Sequence, residues 1–219
     1  MQKLEVRKES LLDSLVREYV RSAEPVGSLH LALKAGLSVS SATIRNELAE
    51  LEAEGYLEQP HTSAGRVPSE EGYRYFIAHL LTPRTPSAAF IHGLRKAVDL
   101  KATAKLMAAE AGECVFVSFA PHDVYYTGLT QLFGKPEFGS REVAVNLSAA
   151  LDELDSMVSG LARSAEPRTL LGADNPLHRY CATVYRSTGD GHVGFFGLMR
   201  MDYEKALGVL NAIPYDRKA

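Results

Sequence analysis

Residues 39–54 read VSSATIRNELAELEAE, and they carry the clearest structural signal in the chain. The large apolar side chains recur at the spacing of one helical face: Ile44, Leu48 and Leu51. This spacing predicts a helix over 41–54, with Ser40 in the N-cap position and Gly55 at its end. The helix is expected to bury that one face in a core.

The opposite face of this predicted helix is small and polar near its start, where Arg45 and Asn46 stand. Little bulk allows a helix to enter the major groove of DNA, where Arg recognises guanine and Asn recognises adenine. The pattern is therefore typical of a recognition helix. An ordinary solvated helix face is the alternative interpretation.

The residues before this helix predict the other half of a helix-turn-helix. Apolar positions over 8–21 have helical spacing, and Pro25 and Gly27 interrupt them. A short helix over 28–35 follows, and Gly36 provides a turn before the helix at 41–54. Two helices separated by a glycine-containing turn form the helix-turn-helix pattern.

The residues after the helix predict a hairpin. Two short β-prone runs, 56–59 and 66–68, flank a turn of small polar residues over 60–65. A further helix is expected over 69–81. Hydroxyl groups, a histidine and an arginine at a hairpin tip suit contact with DNA phosphates or the minor groove. We therefore predict a winged helix-turn-helix whose wing is 59–68.

The charge distribution limits how such a domain could bind DNA. The formal net charge of the chain is −3, so a broad basic surface is excluded and any contact must be local. Asp and Glu are absent from 25–46 and from 59–69. The candidate DNA-contacting residues lie in these two windows: Lys34, Ser40, Ser41, Thr43, Arg45, Asn46, His61, Thr62, Ser63 and Arg66. For Lys34, Ser41 and Thr43 a purely structural role is an equally good interpretation, since Ser and Thr at helix starts are often only caps. For His61 and Arg66 the alternative is a merely exposed hairpin tip.

Two prolines within 82–87 mark a boundary. We predict a DNA-binding domain over 1–82, a linker over 83–87 and a second domain over 88–219. The second domain is expected to be α+β, because helical and β-rich segments are mixed along it. Its predicted elements are helical 87–111, strand 114–120, helix 141–163, strand 169–172, a hairpin of 178–187 and 192–201 turning at 189–191, and helix 203–212.

Catalysis and cofactor binding find little support in the sequence. A metal site built from His178, Cys181, His192 and Cys114 is weighed and rejected, because residues three apart on a strand point to opposite faces. The two cysteines are expected to be reduced, buried thiols. The sequence holds no uninterrupted apolar run of the length of a signal peptide or a membrane span, and we expect a cytoplasmic protein that is not an enzyme and has neither cofactor nor metal.

Several blocks of the sequence resemble the HrcA family, the heat-inducible repressors of bacterial chaperone genes. The N-terminal blocks are EPVGS at 24–28, VSSATIRN at 39–46 and QPHTSAGRVP at 59–68. Looser similarity continues at 128–138 and from Gly194 to Tyr203. Three specific blocks in the same order identify the chain as a member of this family.

The resemblance implies a repressor of chaperone genes that binds an inverted-repeat operator. It also implies that the second domain is a reduced GAF-like domain, with the family's inserted dimerisation domain missing between Gly112 and Val124. A two-fold operator requires a two-fold protein, so we expect a homodimer held by residues 87–219. Help from the chaperonin GroEL in folding is a further implication of the resemblance.

Two alternatives to this function remain open from the sequence. One is a metabolite-responsive winged-helix regulator that senses a small ligand in its second domain, and the other is an interaction adaptor that does not bind DNA. A GAF-like fold does not by itself imply ligand sensing. A structural or assembly role for the second domain is the interpretation that we prefer.

Overall fold

The computed structural model describes residues 3–34, 40–61, 64–120, 122–176, 179–189 and 191–214, without the side chain of Lys34. The chain divides into two units, Met1–Leu81 and Thr82–Ala219. Helices and sheet are both present, so the predicted α+β class is confirmed.

Three helices open the first unit: α1 (Val6–Ser22), α2 (Ser28–Lys34) and α3 (Ser41–Ala53). They form because each presents an apolar face to a shared core. The buried apolar side chains of α1 and α3 are Leu11, Leu12, Leu15, Val16, Ile44, Leu48 and Leu51. The predicted inward stripe of α3 is thus confirmed. The predicted turn glycine, Gly36, lies outside the described residues.

A two-stranded antiparallel hairpin follows α3. Strand β1 (Leu57–Glu58) pairs with β2 (Val67–Pro68), and Leu57 lies opposite Pro68. The next helix, α4 (Glu70–Tyr75), continues into a π-helical turn over Phe76–Leu80. The single helix expected over 69–81 is therefore present but changes its hydrogen-bonding pattern partway.

The second unit is built on a five-stranded antiparallel sheet with the order β4-β3-β7-β6-β5. The strands are β3 (Cys114–Ala120), β4 (Asp123–Thr127), β5 (Arg168–Leu171), β6 (Cys181–Thr188) and β7 (Gly191–Leu198). The predicted β6–β7 hairpin is confirmed, and Thr188 pairs with Gly191 across its turn. Gly189 has a φ of 51°, a conformation that glycine adopts without strain. Asp190 lies outside the described residues.

The helices of the second unit are α5 (Ala88–Lys96), α6 (Leu100–Ala111), α7 (Leu129–Phe133), α8 (Arg141–Asp152), α9 (Leu154–Ser159) and α10 (Tyr203–Ala212). The prediction of one helix over 141–163 is wrong in two respects. The helix is interrupted at Glu153, and its second part ends at Ser159. Beyond this end the chain runs to β6, where the Ser164 carbonyl accepts a hydrogen bond of 2.7 Å from the Ser187 N–H.

The segment before α5 contacts the last helix of the same unit. The Arg84 N–H donates to the Glu204 carbonyl at 2.9 Å, and the Arg84 guanidinium lies 3.0 Å from the Glu204 carboxylate. Gly208 allows this approach, because a Cβ at that position would lie 1.8 Å from the Arg84 carbonyl oxygen. The predicted linker over 83–87 is thus anchored to α10 at Arg84.

Candidate nucleic-acid interface

The outward face of α3 is formed by four exposed residues: Ala42, Arg45, Asn46 and Ala49. They point outward because the helical period places them opposite the buried stripe. Within the described part of the chain, the side chains of Arg45 and Asn46 make no hydrogen bond or ion pair. This face therefore offers a strong cationic donor and an amide whose hydrogen-bonding groups are available to a ligand.

The start of α3 is capped by Ser40. The Ser40 Oγ accepts a hydrogen bond from the Thr43 N–H at 3.1 Å and lies 3.0 Å from the Thr43 Oγ1. Ser40 is exposed, whereas Ser41 and Thr43 are partly buried. The first turn contains no acid, so the positive end of the helix dipole is uncompensated by the helix itself. Ser40 thus caps a helix end that favours anions, and the Thr43 hydroxyl lies beside the cap.

Two carboxylates of α3 and that of its C-cap residue, Glu54, are paired with cations of α1. Glu47, Glu50 and Glu54 lie along one side of the helix, since they are three and four residues apart. Arg7 contacts the Glu47 carboxylate, and the Lys8 Nζ lies 2.9 Å from Glu50 and 2.6 Å from Glu54. The hydrogen bonds to Glu54 and Glu50 raise the pKa of Lys8 well above its ordinary value.

Sequence reasoning did not identify Arg7 and Lys8. The signal was present: two adjacent cations near the start of one helix, and three acids on one side of another. What the sequence lacked was the packing of α1 against α3, which brings residues about forty positions apart into contact. This contact places a cation beside each of the three carboxylates, although Glu50 and Glu54 stay largely exposed.

The hairpin presents His61 at its tip, where the imidazole is exposed. The turn is closed by two hydrogen bonds, one from the Ala64 N–H to the His61 carbonyl at 2.8 Å and one from the Gln59 Nε2 to the Ala64 carbonyl at 3.0 Å. Two predicted contact residues, Thr62 and Ser63, lie outside the described residues, as does the side chain of Lys34.

Arg66 is engaged inside the first unit. Its Nε donates to a Glu52 carboxylate oxygen at 2.8 Å, and only 17% of its side chain is exposed. Its backbone pairs with Val26 through two hydrogen bonds of 2.8 and 2.9 Å. Of the predicted contact residues, the structure thus places Arg45 and Asn46 on an open face and directs the Arg66 guanidinium toward a carboxylate.

Buried charges in the second unit form pairs with one another. Lys135 Nζ lies 2.6 Å from both carboxylate oxygens of Glu113, and Arg200 pairs with Glu137. Burial raises the pKa of Glu113, with Lys135 opposing the shift. The charge of Arg200 and its hydrogen bond lower the pKa of Glu137 against the opposing effect of burial. These groups satisfy each other, as buried charges generally must.

The two cysteines are buried and not joined to each other, as expected. Burial raises the pKa of the Cys181 thiol to about 12 and shifts that of Cys114 in the same direction. Among the described residues, no cluster of three or more His, Cys, Asp or Glu side chains could hold a metal ion. His178 lies outside them. No helix in the described parts of the chain is long and apolar enough to cross a membrane.

The family model and the curated proteins that this chain resembles all belong to one family. The family model described as "HrcA protein C terminal domain" matches residues 87–207. Similar curated proteins are named heat-inducible transcription repressor HrcA. The protein from Desulforudis audaxviator is 56% identical over 84 residues, which are 38% of this chain and 24% of that protein. The protein from Bifidobacterium animalis subsp. lactis is 44% identical over 120 residues, or 51% of this chain and 33% of that one.

The matched part of the chain spans about a quarter to a third of the length of these curated relatives. A solved structure described as a hypothetical protein superposes with a TM-score of 0.79 over 95% of this chain and 96% of that chain. It is 18% identical in sequence, so this likeness shows the fold alone.

Proposed function

The chain belongs to the HrcA family, and we propose that it is a heat-inducible transcription repressor that binds duplex DNA through α3. The observation that carries the proposal is the outward face of this helix, where Arg45 and Asn46 are exposed beside small residues. The family relationship favours this function over a metabolite-responsive regulator. The relatives are named repressors, and no catalytic activity is proposed.

In the proposed complex, α3 enters the major groove as the recognition helix of a winged helix-turn-helix. The Arg45 guanidinium donates to a guanine edge and the Asn46 amide pairs with an adenine, the contacts that these side chains make best. Ala42 and Ala49 allow close approach because they add little bulk to the exposed face. The exposed start of the helix, with Ser40, lies against phosphate.

The hairpin acts as the wing. Its tip carries His61, and Thr62 and Ser63 are proposed to add hydroxyl donors to the backbone or the adjacent minor groove. Contacts of this kind set the register of a protein on the duplex without reading much sequence. Lys34, at the end of α2, is proposed as a further phosphate contact.

Local pairing of charges supports DNA binding by a unit that is acidic overall. Residues 1–81 contain nine Lys and Arg against twelve Asp and Glu. Arg7 and Lys8 pair with the carboxylates of Glu47, Glu50 and Glu54, and Arg66 pairs with Glu52. Pairing lowers the repulsion that each of these acids would exert on DNA phosphates.

We further propose that the repressor reads an inverted-repeat operator as a homodimer. One recognition helix reads one half-site, so a two-fold operator requires two copies. The dimer is proposed to form through residues 87–219, the GAF-like unit, and GroEL is proposed to assist folding of the active form. These statements rest on family membership.

Selection of bound duplexes from a random DNA library tests the proposal. We expect one enriched sequence with two-fold symmetry for the native chain, and loss of one defined position for Arg45→Ala. Enrichment that does not exceed an unselected library would contradict sequence-specific DNA binding. An enriched sequence without two-fold symmetry would retain DNA binding and refute the operator proposed here.

A further inference from the structure

We propose that Arg66 is a positioning residue that fixes the hairpin to α3 through Glu52, and that its guanidinium is not a phosphate contact. The inference deepens the proposed DNA binding and rests on it. It concerns the root of the hairpin rather than its tip. The consequence is that the recognition helix and the wing move as one body.

The first support is the ion pair itself. The Arg66 Nε lies 2.8 Å from a Glu52 carboxylate oxygen, and the two side chains are 17% and 35% exposed. A charge pair shielded from water to this degree is less screened than a surface pair. Moving the guanidinium to a phosphate would leave the Glu52 carboxylate unpaired on the recognition helix. Such a carboxylate would repel the same DNA.

The second support is the backbone around Arg66. Both its N–H and its carbonyl are hydrogen-bonded to Val26, which lies in the turn before α2. Gly65 packs against the same residue, and a Cβ on it would lie 2.4 Å from the Val26 carbonyl carbon. This close approach leaves the backbone at 65–66 little room to move. The hairpin root is thus tied to two elements at once, the turn before α2 and the flank of α3.

Fixing the root sets the offset between the exposed face of α3 and the hairpin tip. A recognition helix and a wing contact neighbouring grooves, so their offset must match the spacing of the duplex. Binding groups held in advance by their supporting residues lose less free energy on complex formation. Arg66 would therefore act on DNA affinity through the geometry of other residues.

The two possible roles of Arg66 predict opposite effects at Glu52. If Arg66 contacted phosphate, Glu52→Gln would release it from its partner and remove an acid, so affinity would rise. If Arg66 positions the hairpin, Glu52→Gln breaks the same link as Arg66→Gln, and affinity falls. The sign of the Glu52→Gln effect thus separates the roles without reference to its size.

The test measures binding of the full chain to the duplex obtained by selection and to a mixed-sequence duplex, over roughly 50 to 200 mM salt. On the selected duplex we expect Arg66→Gln and Glu52→Gln each to weaken binding about five-fold. We expect the double variant to be no weaker than either single variant. The exchanged pair Arg66→Glu with Glu52→Arg should return affinity to within about two-fold of the native chain.

A matched control comes from a second ion pair of the same unit, Arg74 with Glu70 on α4, at 2.6 Å and with side chains 28% and 36% exposed. Arg74→Gln should lower the thermal stability of the first unit about as much as Arg66→Gln does, while leaving DNA affinity unchanged. Comparable affinity losses for the two pairs would mean that Arg66 acts only through overall stability, which would overturn the inference.

Two further outcomes also decide the matter. Tighter binding by Glu52→Gln, together with a salt slope reduced by about one for Arg66→Gln, would make Arg66 a phosphate contact and overturn the inference alone. Failure of the native chain to bind either duplex would overturn the proposed function and this role together.

Discussion

Single residues of α3 and its C-cap differ in what surrounds them. Glu47, Glu50 and Glu54 are paired with cations of α1, whereas Arg45 stands on the exposed face beside Asn46. A guanidinium that is already paired within the protein binds a ligand less strongly, because the existing ion pair must first be broken. The position of Arg45 therefore makes it the best test of base reading.

Replacing Arg45 with Ala should weaken binding to the selected duplex by about 1–3 kcal/mol and relax specificity at one base pair. The effect follows from loss of a bidentate contact to a base edge. Arg95→Ala, which removes an exposed cation from α5 of the other unit, should have no such effect. Equal losses on selected and mixed-sequence duplexes, measured by titration, would refute base reading by Arg45.

Gly65 is required by close packing. An added Cβ would lie 2.4 Å from the Val26 carbonyl carbon, so Gly65→Ala must displace the hairpin root. We expect Gly65→Ala to lower the free energy of unfolding of the first unit by about 1–3 kcal/mol. Gly27→Ala is the control, because no heavy atom lies within 4 Å of the added Cβ. Equal unfolding midpoints for the two variants in denaturant would contradict this account.

At the scale of the element, the start of α3 combines a cap with a proposed phosphate contact. Substitution of the cap can separate the two. Ser40→Ala should remove the acceptor for the Thr43 N–H and lower stability by about 1 kcal/mol. Ser40→Asp should preserve the cap but place a negative charge where phosphate is proposed to bind, so the variant should fold well and bind DNA weakly.

Ser40→Asn is the matched control for this substitution, since Asn caps as well as Asp does and carries no charge. We expect it to keep both stability and DNA binding. Thermal unfolding and titration of the selected duplex would report the two properties separately. Undiminished DNA binding by Ser40→Asp would exclude a phosphate from the start of α3.

Beyond the single element, the second unit carries a group that should make stability depend on pH. His192 is buried, with its Nδ1 3.4 Å from the Ser187 Oγ. Burial, with a smaller effect from Arg163, lowers the pKa of the His192 imidazole below 6.5. The unfolded state therefore binds more protons than the folded state as pH falls through the ordinary value, and folding stability falls with it.

We expect the free energy of unfolding of the second unit to decrease between about pH 7.5 and pH 5.5, the range around the ordinary histidine pKa. His192→Gln should show a smaller decrease over the same range, because it removes the titrating group. Denaturant unfolding followed by circular dichroism measures both. Identical pH profiles for the native chain and the variant would contradict the assignment to His192.

For the molecule as a whole, the proposed operator requires two copies of the chain. We expect sedimentation to give two chains per selected duplex, with association retained by residues 87–219. The family's usual dimerisation segment is expected to be missing from this sequence, so the dimer should be weaker and should already dissociate at a higher protein concentration than the dimers of longer relatives. A single chain per duplex under all conditions would refute the two-fold complex.

Local patterns along the chain determined much of this structure. The apolar period of Ile44, Leu48 and Leu51 specified the buried face of α3 and, by the geometry of a helix, the exposed face with Arg45 and Asn46. The position of Ser40 specified the cap. Such features depend on residues within a few positions of one another, so they can be read without the fold.

Charge pairing was decided by the tertiary structure. Arg66 follows a turn of small polar residues that predicts an exposed hairpin, yet its guanidinium meets Glu52, fourteen residues away. Lys8 meets Glu54, forty-six residues away. Which cation reaches which acid depends on how α1, α3 and the hairpin pack. Long charged side chains pair with the opposite charge that is nearest in space, which need not be near in sequence. A prediction of DNA contacts from charge alone therefore includes residues, such as Arg66, that form ion pairs within the protein.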